Sequence, residues 1–184
     1  APDCWAKVVA RYREAEVRLS GIGVVQARPD EAWNRRYFEF AKLAKAGLIS
    51  FSFPPDGHET TLRMMEKLSD EYGIKLAIHN HGGYDWLGSS TMLGYLFKRC
   101  AKSIGLCLDT AWCLQISEDP VKWLDLFGDR LYGIHFKDFR FKPEGGRPLD
   151  TVVGEGSLKL ADFLAKLKVL DFKGSAVVEY EGEN

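Results

Sequence analysis

Four short apolar segments of this sequence end in side chains that can bind a metal ion. Ile104–Asp109 ends in a carboxylate, Leu131–His135 in an imidazole and Ala176–Glu179 in a second carboxylate. A fourth segment, Ile74–His81, ends in the run His79-Asn80-His81 and offers two imidazoles. Converging His, Asp and Glu side chains suit a divalent cation. These positions predict one metal site, provided that the fold brings the segment ends together.

The order of the predicted elements would bring these ends together. Apolar periodicity and capping residues predict helices that alternate with six strands. The helices are predicted at about residues 5–14, 31–46, 59–72, 91–101, 120–127 and 157–168, and a long loop rich in Gly and Pro precedes the last of them. The strands are predicted at about residues 17–25, 48–53, 74–79, 104–109, 131–136 and 175–180. Continuous apolar strands are typical of a parallel sheet that is buried on both faces. In such folds the carboxyl ends of the strands share one side, where the four segment ends would converge.

Composition and charge exclude several classes of protein. The 184 residues are 46% hydrophobic, which is enough for one globular domain, and the formal net charge is −1. Charges of both signs are interspersed, so the sequence predicts no nucleic-acid or membrane surface. No apolar stretch reaches the roughly 18 residues of a spanning helix. The four cysteines lack a CxxC spacing and predict reduced thiols in a cytoplasmic protein.

Each candidate ligand also has an ordinary structural explanation. A single Asp at a strand end, such as Asp109, is often a turn or N-cap residue. A single His such as His135 is more often a hydrogen-bonded core residue than a ligand. A carboxylate such as Glu179 beside an apolar strand is costly unless a charge such as a metal ion compensates it. Recurrence at the same position of successive strand–helix units favours the metal site.

Several motifs resemble the sugar phosphate isomerase/epimerase family of the xylose isomerase-like barrel superfamily. They are, in chain order, HNHGG, IGLCLDTAW, DPVKW, FGDRLYGIHFKDF, VVGEGSL and VVEYEG, and the resemblance covers about residues 17–184. It implies an α/β fold, a (β/α)8 TIM barrel of which this chain supplies about six of the eight strands. We therefore expect residues 1–184 to form a single barrel domain that is truncated upstream and just after the last strand.

The resemblance also implies roles for the candidate ligands. It makes Asp109, His135 and Glu179 ligands of one divalent metal ion on the sixth, seventh and eighth strands of the barrel. In epimerases of this superfamily the fifth-strand ligand is a glutamate, whereas here the position is His79. Inosose dehydratases resemble this chain in having a histidine-rich run there and a carboxylate slightly later, so the fourth ligand is either His79 or Asp85. Mn, Co, Zn and Mg are all candidates, although two imidazoles argue against Mg.

The predicted function is that of a metal-dependent isomerase or epimerase acting on a small sugar or sugar phosphate. The cation would polarise a carbonyl and stabilise the enediolate formed when a neighbouring C–H proton is removed. Glu179 and His79 are the candidate catalytic residues, with Glu179 the best candidate to take or return the proton. Loss of a β-hydroxyl would instead make the protein an inosose dehydratase-like lyase. A non-catalytic sugar-binding fragment is the third hypothesis.

Other residues near the predicted site are candidate substrate contacts. They include His81 and Asp85 after the third strand. Lys137 and Asp138 could contact substrate oxygens or form a structural ion pair. Trp112 could line a sugar pocket, although aromatic residues near strand ends more often serve packing.

Two further motifs bear on the choice within the superfamily. Gly154-Glu155-Gly156 could offer N–H groups to an anion or could be an ordinary turn before a helix. The apurinic endonucleases of the superfamily need extra histidines where this chain has Trp112 and Asp150, so the sequence predicts one metal ion and no nucleic-acid substrate. Members of the superfamily often dimerise, which makes a second copy of the chain a candidate partner.

Overall fold

The computed structural model describes residues 2–182, which contain seven α-helices and eight β-strands. The helices are α1 (Pro2–Glu14), α2 (Glu31–Ala44), α3 (His58–Tyr72), α4 (Ser90–Phe97), α5 (Thr110–Gln115), α6 (Pro120–Phe127) and α7 (Leu160–Val169). The strands are β1 (Gly21–Gln26), β2 (Leu48–Ser52), β3 (Lys75–His79), β4 (Ile104–Asp109), β5 (Leu131–Phe136), β6 (Asp138–Arg140), β7 (Leu149–Thr151) and β8 (Ser175–Val178).

Six of the strands form one sheet in the order β1-β2-β3-β4-β5-β8. The pairs β1/β2, β2/β3, β4/β5 and β5/β8 are parallel, as expected for strands that are separated by helices. β6 and β7 form a separate antiparallel ribbon. The sequence-based prediction of an incomplete α/β barrel with six strands is therefore confirmed.

The described residues form two compact units. The first contains residues 2–78 and 100–105, and the second contains residues 79–99 and 106–182. The first unit has a core of fully buried side chains that includes Phe38, Ile49, Phe51, Met65 and Leu68. The core of the second unit includes Leu108, Ala111, Trp123, Ile134 and Phe163. Among the described residues no helix is both long and apolar enough to cross a membrane.

Local side-chain chemistry explains where several helices begin and end. Asp30 caps α2, because its carboxylate accepts a hydrogen bond from the Trp33 N–H at 3.0 Å. The same helix ends at Lys45, which adopts a left-handed conformation with φ 57°. Asp119 caps α6, and Pro120 occupies the first turn, where its missing N–H has no helical acceptor.

The structure corrects several predicted boundaries and adds two elements. The first strand begins at Gly21 rather than at residue 17, and α4 ends at Phe97 rather than near residue 101. α7 begins at Leu160 rather than at residue 157. α5 was not predicted, because Asp109 ends β4 and starts this helix without an intervening loop. The β6/β7 ribbon lies in the Gly- and Pro-rich stretch that was predicted as a loop.

Candidate metal centre

The register of the parallel strands brings the predicted ligands to one edge of the sheet. Asp109 and His135 are direct neighbours across β4 and β5. Glu179 follows β8, and its N–H donates to the Phe136 carbonyl at 3.0 Å, which continues the β5/β8 ladder by one residue. His79 is the last residue of β3. All four predicted ligands belong to the second compact unit.

The four side chains form a cluster of metal-ligating atoms. One ligand atom from each of His79, Asp109, His135 and Glu179 lies within 4.8 Å of the others. The His135 Nδ1 atom lies 2.6 Å from Glu179 Oε2 and 3.1 Å from His79 Nε2. The same His79 nitrogen is 3.7 Å from Asp109 Oδ2. A single cation can therefore be shared by these four groups.

Asp85, the alternative fourth ligand, lies outside this cluster. Its side chain is exposed, and its Oδ1 accepts a hydrogen bond from the Leu87 N–H at 2.8 Å. This contact closes a local turn of the kind that Asp side chains commonly form with the backbone two residues later. The geometry therefore favours His79 over Asp85 as the fourth member of the group.

The cluster contains buried polar atoms that the protein leaves without partners. Asp109 is fully buried and His79 nearly so, yet Asp109 Oδ2 and His79 Nδ1 have no hydrogen-bond partner in the structure. Burial raises the pKa of Asp109 to about 7. An unsatisfied buried polar group costs about 1–3 kcal/mol. A divalent cation bound to Asp109 Oδ2 would compensate both costs, so these residues fit a metal ion.

The protonation states of the other ligands also suit a cation. Burial, followed by the neighbouring His135 and His81 rings, lowers the pKa of His79 well below its ordinary value. His79 is therefore a neutral imidazole, which is the form that binds metals. The hydrogen bond from His135, followed by that from Lys137, lowers the pKa of Glu179 to about 2 despite partial burial. Glu179 is therefore a carboxylate throughout the neutral range.

Two polar residues hold Asp109 and the end of β5 in place. Asn80 is fully buried, accepts from the Asp109 N–H at 2.8 Å and donates to the Asp109 carbonyl at 3.0 Å. The Thr110 hydroxyl donates to the Lys137 carbonyl at 2.5 Å and accepts from the Lys137 N–H at 3.0 Å. Asp109 Oδ1 accepts from the Trp112 N–H at 2.9 Å and caps α5. The backbone around Asp109 is therefore fixed on several sides.

Lys137 forms the ion pair that was one of its two predicted roles. Its side chain is fully buried, and its ammonium donates to Glu179 Oε1 at 2.9 Å and to Glu181 Oε2. Asp150 Oδ2 is 3.7 Å away. Burial opposes the charge, but the hydrogen bonds to Glu181 and Glu179 outweigh it and raise the pKa of Lys137.

Asp138, which was predicted either to contact substrate oxygens or to form a structural ion pair, has a different role in the structure. It is fully buried, and its two oxygens accept four backbone N–H groups at 2.9–3.0 Å. These donors belong to Gly154, Gly156, Ser157 and Leu158. Because both oxygens are fully used, Asp138 anchors the loop before α7. The Gly154-Glu155-Gly156 motif gives its N–H groups to this carboxylate, so the reading as a turn before a helix fits the structure.

His81 and Trp112, the predicted substrate contacts, lie beside the cluster. The His81 ring is 4.5 Å from that of His79 and 6.2 Å from that of Trp112. His81 Nδ1 is buried and has no hydrogen-bond partner. Trp112 also packs edge-on against Phe139, with 5.1 Å between the ring centroids. Both residues therefore remain candidates for contact with a substrate.

The structure brings four further residues to the site whose roles were not predicted from the sequence. They are Asn80, Thr110, Asp150 and Glu181. Asn80 and Thr110 directly follow the ends of β3 and β4, so their positions in the sequence were a usable signal. Asp150 lies on the unpredicted ribbon, and its contact with Lys137 could not be inferred from spacing.

Comparison with known proteins identifies relatives of this chain. A family model described as xylose isomerase-like TIM barrel matches residues 21–184. Inosose dehydratase of Geobacillus kaustophilus is 28% identical over 127 residues, which cover 62% of this chain and 41% of that protein. 3-oxo-isoapionate decarboxylase of Pectobacterium atrosepticum is 25% identical over 118 residues, which cover 60% of this chain and 42% of that protein. The chain spans about two-fifths of the length of these curated relatives.

Solved structures show the same fold. A sugar phosphate isomerase/epimerase from Parabacteroides distasonis superimposes with a TM-score of 0.75 at 15% identity, covering 98% of this chain and 69% of that chain. D-allulose 3-epimerase from Methylomonas sp. gives a TM-score of 0.73 at 16% identity, covering 96% and 69%. At these identities the likeness establishes the fold alone.

Proposed function

The chain belongs to the xylose isomerase-like TIM barrel family, and we propose that it is a divalent-metal-dependent isomerase or epimerase acting on a sugar or sugar phosphate. The observation that carries the proposal is the cluster of His79, Asp109, His135 and Glu179, in which Asp109 Oδ2 is buried without a partner. A bound metal ion would compensate the cost of burying this oxygen without a hydrogen-bond partner. The names of the relatives support a carbohydrate or a related polyhydroxy carbonyl compound as substrate.

The proposed metal ligands are two imidazoles and two carboxylates. Mixed nitrogen and oxygen donors suit Mn, Co or Zn better than Mg, which prefers oxygen ligands. A divalent cation at this site would polarise a carbonyl group and favour loss of the proton on the adjacent carbon. Glu179 is ionised throughout the neutral range, so this carboxylate can bind the cation and is also the proposed group that takes or returns the proton.

The surrounding residues would bind and orient the substrate. His81 presents a buried nitrogen without a partner and can exchange a hydrogen bond with a substrate hydroxyl. Trp112 would pack against the apolar face of a sugar, as aromatic side chains with a polar neighbour commonly do in ligand sites. Lys137 is already bound to carboxylates, so we assign it to the organisation of the site and not to direct substrate contact.

A lyase of the inosose dehydratase type is the second candidate. The specific observation in its favour is His79, which takes the position where epimerases of the superfamily have a glutamate. The similarity to an inosose dehydratase agrees with it. Both candidates begin with removal of a proton next to a carbonyl, and they differ in whether the proton returns or a hydroxyl leaves.

Metal analysis and isotope exchange test the proposal together. The purified protein would be dialysed with Mn²⁺, Co²⁺ or Zn²⁺, and the bound metal would be counted by mass spectrometry. It would then be incubated in D₂O with D-fructose, D-allulose and an inosose. We expect one ion per chain and deuterium at the carbon next to the carbonyl for an isomerase or epimerase. Release of water with formation of an unsaturated ketone would indicate the lyase.

A matched variant separates the metal site from the fold. Asp109→Asn keeps an oxygen that can cap α5 but removes the charge, so it should fold and lose at least about 100-fold in metal affinity. Activity should fall with metal occupancy. A wild-type protein that binds no divalent ion, or an Asp109→Asn variant with unchanged metal affinity, would contradict the proposed function.

A further inference from the structure

We propose that Lys137 is the positioning residue of the candidate metal centre, and that Asp150 and Glu181 act on the centre by fixing the Lys137 ammonium. In this proposal Lys137 holds Glu179 so that a single oxygen faces the other three ligands. The inference rests on the proposed function and adds a residue that orients a ligand without binding the metal ion itself.

The two oxygens of Glu179 have different partners. Oε2 lies 2.6 Å from His135 Nδ1, within the cluster. Oε1 accepts from the Lys137 ammonium at 2.9 Å. Because one oxygen is held by Lys137, the carboxylate offers one oxygen to a cation and is restrained from rotating. Lys137 thereby sets both the orientation of Glu179 and the number of oxygens that it can donate.

The buried Lys137 ammonium is held in one position by the groups that surround it. An ammonium removed from water needs close compensation, and the Lys137 side chain is fully buried. Three carboxylates provide it, those of Glu179, Glu181 and Asp150. The rings of Trp112 and Phe139 lie 5.2 and 6.0 Å from the nitrogen. Three carboxylates exceed the charge of one ammonium, so a second cation in this region is electrostatically favoured.

Asp150 and Glu181 reach Lys137 from different elements. Asp150 lies on β7 of the ribbon, whereas Glu181 follows β8. The Glu181 N–H also donates to Asp150 Oδ2 at 3.3 Å, which links the two segments. The backbone of Lys137 is held by Thr110. The ammonium is therefore fixed from three directions, and its bond to Glu179 transmits this constraint to the ligand.

Binding of Co²⁺ to variants distinguishes positioning from simple electrostatics. Loss of a nearby positive charge should by itself strengthen cation binding, because the ammonium repels the metal ion. If Lys137 positions Glu179, Lys137→Met should instead weaken binding by about 10–100-fold, as loss of residues that orient ligands typically does. The visible absorption of bound Co²⁺ should also change, because a released Glu179 can donate both oxygens. Lys137→Arg, which keeps the charge and the donors, should restore most of the affinity and the spectrum.

The experiment uses metal-free wild-type protein and variants whose folding is verified by circular dichroism. If Lys137→Met does not fold, Asp150→Asn decides through the spectrum of bound Co²⁺, since it removes one charge that fixes the ammonium, whereas loss of a negative charge alone would weaken binding without changing the ligand geometry. Lys137→Met that binds Co²⁺ as tightly as wild type or more tightly with an unchanged spectrum, or in its place Asp150→Asn with an unchanged spectrum, would overturn the proposal. Failure of the wild type itself to bind Co²⁺, Mn²⁺ or Zn²⁺ would instead overturn the proposed function, so the two failures are distinguishable.

Discussion

Asp109 has two roles because its two oxygens face different surroundings. Oδ1 caps α5 through the Trp112 N–H, and Oδ2 faces His79. From the sequence alone, a capping residue and a metal ligand were competing explanations for this residue. The structure shows that one carboxylate provides the cap and also presents an oxygen to the cluster. The cap also fixes the rotamer that points Oδ2 at His79 in the cluster.

Residue types and strand ends were enough to predict the four-membered cluster but not the residues that support it. His79, Asp109, His135 and Glu179 each lie within one residue of the carboxyl end of a strand, so the repeated strand–helix order of the fold places them together. The role of Lys137 depends on carboxylates from the ribbon and from the residues after β8, and that of Asp138 on backbone N–H groups of the loop before α7. Neither set of partners could be inferred from spacing along the chain.

Replacement of Asp138 by alanine should destabilise the protein severely. The change leaves four buried or half-buried backbone N–H groups without their charged acceptor, and we expect a loss of about 3–5 kcal/mol in the free energy of unfolding. Urea denaturation measures this loss. Asp70→Ala, at an exposed position of α3, is the control and should change stability by no more than about 0.5 kcal/mol. Equal stability of Asp138→Ala and wild type would contradict the assigned anchoring role.

At the scale of elements, hydrophobic periodicity predicted most helices and strands. The elements that it missed are α5 and the two strands of the ribbon. β4, α6 and β5 have the predicted bounds, since each is an apolar run with clear flanking signals. α5 follows β4 directly, and its N-cap is the last residue of that strand. The ribbon strands are three residues each and too short to show alternation. For these reasons the sequence pattern predicted neither α5 nor the β6/β7 ribbon.

The end of α2 offers a test of local backbone strain. Lys45 has a φ of 57°, a conformation that costs a residue with a Cβ about 1–2 kcal/mol and that glycine adopts freely. Lys45→Gly should therefore stabilise the protein by about 0.5–1 kcal/mol after the larger unfolded-state entropy of glycine is subtracted. Thermal unfolding should show a rise of about 1–4 °C.

The control for this change is Glu39→Gly, at an exposed position within the same helix. Glycine in a helix interior loses about 1 kcal/mol relative to ordinary residues, so this variant should unfold at a lower temperature. Opposite signs for the two glycine substitutions would show that conformation at the helix end decides the effect. A decrease in stability for Lys45→Gly would contradict the interpretation.

At the scale of the whole molecule, all proposed ligands lie in the second compact unit. We therefore expect a bound metal ion to stabilise that unit. Binding to the native state alone adds about 2.7 kcal/mol when the free ion is at 100 times its dissociation constant. Amide hydrogen exchange with and without Mn²⁺ should therefore slow by up to about 100-fold near the ends of β4 and β5 and around Lys137. Amides of α1 that exchange by local opening should be unaffected, because that helix carries no ligand.

The Asp109→Asn variant provides the control for this exchange experiment. It retains the fold but lacks the charged ligand, so Mn²⁺ should leave its exchange pattern unchanged. Equal protection of α1 and β5 in the wild type would show that the ion acts through a different set of groups. Protection confined to the second unit, and absent from the variant, would connect the cluster of buried side chains to the stability of the unit that contains it.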